Sequence, residues 1–91
     1  MAKIKLSYEV KNNLDSFIIR EVGKRMANSG IKVKKVDIMT EIANHSGVGF
    51  ENINRIKRNI SQPSLAVALK IADYFNVKVE DIFKISWQTK V

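Results

Sequence analysis

The stretch from Met39 to Arg58, MTEIANHSGVGFENINRIKR, decides the fold. It reads as a helix, a tight turn and a second helix. Ile42 and Ala43 lie about one helical turn before Ser46 and share its face. Ala43 is small, which lets another helix cross closely. Gly47 interrupts the periodicity where a short turn needs a positive φ, a conformation glycine adopts at no steric cost. Val48 follows as an apolar plug. Ile53 and Ile56 mark the buried stripe of the second helix. Its other residues, Phe50, Glu51, Asn52, Asn54, Arg55, Lys57 and Arg58, form an outward face rich in hydrogen-bonding groups and positive charge.

Two helices joined by a short glycine-containing turn can set the second helix in the major groove of DNA. An ordinary helical hairpin with a solvated polar face is the plainer alternative. The order of small residue, glycine, apolar plug and two apolar anchors favours DNA. The stretch resembles the helix-turn-helix of the lambda-repressor-like (Cro/Xre-type) DNA-binding family. Ala43, Gly47, Val48, Ile53 and Ile56 fall on that motif's structural positions. The likeness continues through Asn59-Ile60-Ser61-Gln62-Pro63-Ser64-Leu65, then Ala68-Leu69-Lys70-Ile71-Ala72, then Val77-Lys78-Val79-Glu80-Asp81-Ile82-Phe83. It covers about half of the chain well and the first helix more loosely. The expected fold is therefore mainly α: a five-helix lambda-repressor-like domain, completed by a small antiparallel β ribbon made by the two terminal strands.

Bulk properties agree. Ninety-one residues suit a single domain over 1–91, with a core small enough that dimerisation would help it. Sixteen Lys and Arg against nine acids give a net charge of +7, which favours a polyanionic partner, nucleic acid or an acidic membrane surface. The absence of cysteine excludes disulfides and Cys-based zinc sites. No apolar run reaches the length of a membrane span and no signal-peptide pattern opens the chain. A cytoplasmic, nucleoid-associated protein is expected.

Along the chain, residues 3–10 alternate strictly. Ile4, Leu6, Tyr8 and Val10 face one way, and Lys3, Lys5, Ser7 and Glu9 the other, as in a half-buried strand. Asn12-Asn13 supply a turn and a helix cap. Leu14, Phe17, Ile18, Val22 and Met26 place helix 1 from Leu14 to about Asn28, ended by Ser29-Gly30. Arg20, Lys24 and Arg25 are candidates for the DNA backbone or for a solvated face. Residues 31–36 lengthen the connection usual in the family; Lys32, Lys34 and Lys35 there can reach phosphate or stay solvated. Asp37 is a plausible cap for helix 2, which can also begin before it. Met39 stands where the family commonly has Gln, so that DNA contact is expected to be lost or taken over by Thr40 or a lysine.

Asn59 replaces the family's Gly after the second helix of the motif; Asn tolerates the left-handed conformation. Ser64 caps helix 4, with Leu65, Ala68, Leu69 and Ala72 as its apolar stripe. Lys78 replaces the usual Ser or Thr cap, so helix 5 (79–83) should be short. Phe83, Ile85, Trp87, Thr89 and Val91 alternate with Lys84, Ser86, Gln88 and Lys90, giving a second strand (84–90) to pair with 3–10. Two strands alone are barely stable in water. The expectation is that this ribbon builds a homodimer, with Tyr8, Ile85 and Trp87 as anchors.

The resemblance implies how DNA would be read. The first residues of the recognition helix point into the groove, which assigns base reading to Phe50, Glu51, Asn52 and Arg55. Asn52 suits adenine, Arg55 guanine, and Glu51 either steadies Arg55 or accepts from cytosine. Phe50 can meet a thymine methyl or pack on its own protein. Thr40, Gly49, Asn54, Lys57, Arg58, Asn59, Ser61 and Gln62 are assigned to phosphates. A dimer favours a palindromic double-stranded operator, and the resemblance implies repression. An antitoxin-like adaptor that binds a protein partner and represses its own promoter is the second reading. A membrane-surface role ranks last, because no helix shows the basic amphipathic pattern it needs. No enzyme, cofactor or metal site is expected: His45 is the single histidine, and the carboxylates are scattered.

Overall fold

A computed structural model describes the backbone of residues 5–90 and the side chains of residues 8–87. In chain order the elements are β1 (Lys5–Asn12), α1 (Leu14–Ser29), α2 (Lys35–Ser46), α3 (Phe50–Lys57), α4 (Leu65–Phe75), α5 (Val79–Ile82) and β2 (Phe83–Lys90). The fold is mainly α, with β1 and β2 paired antiparallel as a two-stranded ribbon. Lys3, Ile4 and Val91 of the expected strands lie outside the described residues. At its inner end β1 runs two residues beyond Val10, because Lys11 and Asn12 pair with Lys84 and Phe83.

Local chemistry sets the helix ends. Asn12 accepts the Leu14 N–H on its side-chain oxygen at 3.0 Å, which starts α1. Gly30 closes it at φ 69°, its N–H donating to Met26. Helix α2 begins before Asp37, with Lys34 at its N-cap. Asp37 sits one turn in and its carboxylate accepts the Lys34 N–H at 2.9 Å. This is half of a capping box, since a lysine side chain has no acceptor to return. Gly47 ends α2 at φ 74°. Among the described residues, Asn59 and Asn76 are the non-glycine residues at positive φ, 60° and 55°, in the left-handed turns after α3 and α4. Ser64 caps α4 by accepting the Val67 N–H. Four-residue α5 is as short as its cap predicted, with Asp81 accepting the Lys78 N–H.

Apolar faces of all five helices meet in one core: Leu14 and Ile18, Ile38, Met39, Ile42 and Ala43, Ile53 and Ile56, Ile71 and Ala72, and Ile82. One expectation changes here, in α4. Met39 is buried, so it presents nothing to DNA. Because α2 starts at Lys35, position 39 falls in the second turn and turns inward beside Ile38 and Ile42. In α4 the buried stripe is Ala68, Ile71 and Ala72, while Leu65 and Leu69 are exposed.

The ribbon stands out from this body, and the molecule measures 63 × 24 × 20 Å. Register places Tyr8 opposite Trp87 and Val10 opposite Ile85, so the two apolar faces read from the sequence coincide. The Tyr8 and Trp87 rings lie 5.3 Å apart.

Candidate nucleic-acid interface

Gly49 enters α3 in an extended conformation, and its carbonyl accepts the Asn52 and Ile53 N–H groups. The helix buries just Ile53 and Ile56. Its remaining side chains are therefore held at fixed angles on a rigid rod with one side open. Phe50, Glu51, Asn52, Arg55 and Arg58 are all exposed. Asn52 and Arg55 are thus free of the core. Arg55 donates from Nε to the Ser61 hydroxyl at 3.2 Å. Both terminal guanidinium nitrogens, the pair that forks onto a guanine edge, have no protein partner among the described residues. Ser61, not Glu51, steadies Arg55: no Glu51–Arg55 ion pair forms among the described residues.

The residues assigned to phosphate fall into two groups. Gly49 and Arg58 are exposed, the Arg58 guanidinium has no partner among the described residues, and Asn54 is half-buried. Thr40 is exposed, with its hydroxyl donating to the Val36 carbonyl in its own helix. The others help to hold the frame. Lys57 is largely covered, its side chain 17% exposed and its ammonium 3.7 Å from Asp15. Asn59 Oδ1 accepts from the Asn12 N–H at 3.0 Å and from Asn12 Nδ2 at 3.1 Å. Asn12 Nδ2 also donates to the Ile56 carbonyl at 2.7 Å. Gln62 Nε2 donates to the Val10 carbonyl at 2.9 Å. These bonds weld the end of α3 and the loop after it to the base of β1.

Asn12 is the residue that sequence reasoning missed in this joint. Read in order it is a turn former before a helix; its partners lie more than forty residues away, a separation no local pattern reports. Arg25 is a second difference. It does not point to a DNA backbone but forks onto Glu41 at 2.7 and 2.6 Å, with Glu21 at 2.9 Å on its Nε. The Tyr74 hydroxyl donates to the same Glu41 at 2.8 Å. The cluster ties α1, α2 and α4 together behind the interface.

Charge follows this geometry. The Lys35 ammonium, bonded to the Asp15 carboxylate, holds that carboxyl below its ordinary range, with Lys57 adding to the effect. Lys35 is thereby drawn toward the protein. The Arg25 guanidinium lowers Glu41 in the same way, and Glu41 in turn raises Arg25. Burial, aided by Glu41, pushes Tyr74 up to about 12. His45 Nε2 lies 2.9 Å from the Asp73 carboxylate, joining α2 to α4. Among the described residues no group of His or acidic side chains is arranged to hold a metal ion. No helix there is long and apolar enough to cross a membrane.

Residues 38–82, from early α2 to the end of α5, match the sequence model of a helix-turn-helix family. Over 43 residues the chain is 44% identical to an uncharacterized HTH-type transcriptional regulator of Methanocaldococcus jannaschii, covering 47% of this chain and 65% of that protein. It is 46% identical over 43 residues to an uncharacterized HTH-type transcriptional regulator of Archaeoglobus fulgidus, covering 47% of this chain and 61% of that one. The chain thus spans less than two thirds of either relative.

Proposed function

We propose, from the chain's membership through residues 38–82 of the lambda-repressor-like (Cro/Xre-type) helix-turn-helix family, that it is a sequence-specific double-stranded DNA-binding transcriptional regulator, acting as a repressor. Residues 1–91 serve as one DNA-binding unit at the nucleoid. The observation that carries the reading is the open side of α3. A helix that buries two isoleucines keeps Phe50, Glu51, Asn52 and Arg55 exposed, and Arg55 is aimed by Ser61. Asn52 reads adenine and Arg55 reads guanine in the major groove. Thr40, Gly49, Asn54 and Arg58 meet phosphates directly. Lys57, Asn59, Ser61 and Gln62 border the backbone while holding the frame.

The partner is a second copy of the chain, joined through Tyr8, Ile85 and Trp87. These are 60%, 54% and 62% exposed, too much apolar surface for an isolated two-stranded ribbon to leave in water. Two recognition helices about 34 Å apart would then match a palindromic operator.

Footprinting on the DNA upstream of the chain's own gene, with a salt titration, tests the reading. A protected inverted repeat is the expected result. Arg55→Ala should cost roughly 1–3 kcal/mol on that site and relax sequence preference. Equal losses on the site and on random DNA would remove Arg55 from its assigned role.

A further inference from the structure

The ribbon has a second face. Strand alternation sets Glu9, Lys11, Lys84 and Ser86 on the side away from Tyr8, Val10, Ile85 and Trp87. Register places Lys11 directly opposite Lys84, and both are exposed. Like charges directly across an antiparallel pair are destabilising. Glu9 compensates weakly: its carboxylate is 3.5 Å from the Lys11 ammonium, in a pair more than half exposed on both sides. A polyanion laid against this face would relieve the repulsion.

Position says which polyanion. The base of β1 is bonded to Asn59 and Gln62, the residues that follow the recognition helix. Tyr8, Glu9, Val10, Lys11, Asn59 and Gln62 line one open cleft along the outer edge of β1, and Lys84 lines a neighbouring cleft together with Gln62 and Pro63. The lysines therefore adjoin the loop that borders the phosphates in the proposed complex.

We propose that the polar face of the ribbon is a second phosphate-binding surface, with Lys11 and Lys84 gripping the DNA backbone just outside the segment that α3 reads. The inference rests on the DNA-binding function proposed above and adds a contact region to it. The ribbon then has two uses: its apolar face meets the second copy and its basic face meets the flank of the site.

The test uses the full chain as wild type, as a Lys11→Gln/Lys84→Gln double variant, and as Glu9→Gln. Binding to a long random-sequence duplex is followed over a salt series, and protection is mapped on the DNA upstream of the gene. The double variant should lower the slope of log affinity against log salt by about 1–2, since each neutralised phosphate contributes about 0.9. It should weaken binding to all sequences alike and shorten protection at the outer flanks, with the central pattern kept. Glu9→Gln should strengthen binding without changing sequence preference, and this variant decides the matter if the double variant fails to fold. An unchanged slope and flank in the double variant, or no gain from Glu9→Gln, overturns the proposal. So does a loss confined to one sequence, because phosphate contacts carry no sequence information. If the wild type binds no DNA at all, the function proposed above fails with it; if wild type and double variant bind with the same slope, only the ribbon contact fails.

Discussion

Asn59 shows what one residue does in two ways at once. It takes a left-handed φ of 60° after α3, and its side-chain oxygen accepts two bonds from Asn12. Replacement by Gly keeps the backbone at ease and loses the bonds, which should cost about 1–2 kcal/mol. Replacement by Ala loses the bonds and adds left-handed strain of about 1–2 kcal/mol. Urea unfolding of the two variants should therefore rank Asn59→Ala clearly below Asn59→Gly; equal midpoints would mean that the φ carries no cost. The conformational half of this was legible in the sequence, since Asn in place of the usual Gly implies a left-handed turn. The bonding half was not, because Asn12 is distant in the chain. Ser46 makes the opposite case. It is 2% exposed, and its hydroxyl has no hydrogen-bond partner among the described residues. Removing an unpaired buried hydroxyl relieves a desolvation cost, so Ser46→Ala should be neutral or stabilising by up to about 1 kcal/mol. A loss of that size instead would reveal a partner such as a buried water.

Between elements, ion pairs decide how α1, α2 and α4 are held, and these pairs are where sequence reading was weakest. The span of α1, the Gly47 turn and the Ser64 cap follow from local spacing and capping chemistry, and they formed where that chemistry placed them. Arg25 and Lys35 looked like free cations because their acids, Glu41 and Asp15, lie on other helices. The Arg25–Glu41 fork has a pH signature. Glu41 is lowered from its ordinary 4.5 and Asp15 from 3.8, each by its cationic partner. A carboxyl depressed on folding contributes stability above its unfolded value, and that stability is lost as pH falls through the lower folded value. Melting temperature should therefore decline below about pH 4.5 in the wild type. Glu41→Gln should start lower at neutral pH by up to about 1 kcal/mol, since the pair is part-exposed, and show a shallower acid limb. Parallel limbs would show that Glu41 does not carry the acid response. Tyr74 acts at the other end. Its pKa is raised from 10.0 to about 12, so the stability it adds is complete below pH 10 and is lost as pH rises toward 12.

For the molecule as a whole, the division between body and ribbon sets what can be separated by mutation. Among the described residues every fully buried core residue belongs to a helix, from Leu14 to Ile82, and the ribbon adds half-buried Phe83 at its base. The ribbon's own apolar pair, Tyr8 and Trp87, packs against itself and is otherwise exposed. Its existence was legible in the sequence from strict alternation at both ends of the chain. Its direction away from the body was not, because alternation gives a strand two faces without saying what covers either. Trp87→Ala should therefore leave the body nearly as stable as before while removing the anchor of the proposed dimer. Sedimentation should show the wild type as a dimer at micromolar concentration and the variant as a monomer. Hot-spot aromatics carry about 2 kcal/mol or more, so the shift should exceed tenfold in dissociation constant. Binding of the variant to a single half-site should match the wild type, while its advantage on the full palindrome disappears, because one recognition helix no longer brings the second within reach. A wild type that sediments as a clean monomer would reject the ribbon dimer and leave the apolar face to a different protein partner, whose small co-purifying chain would then be the species to identify.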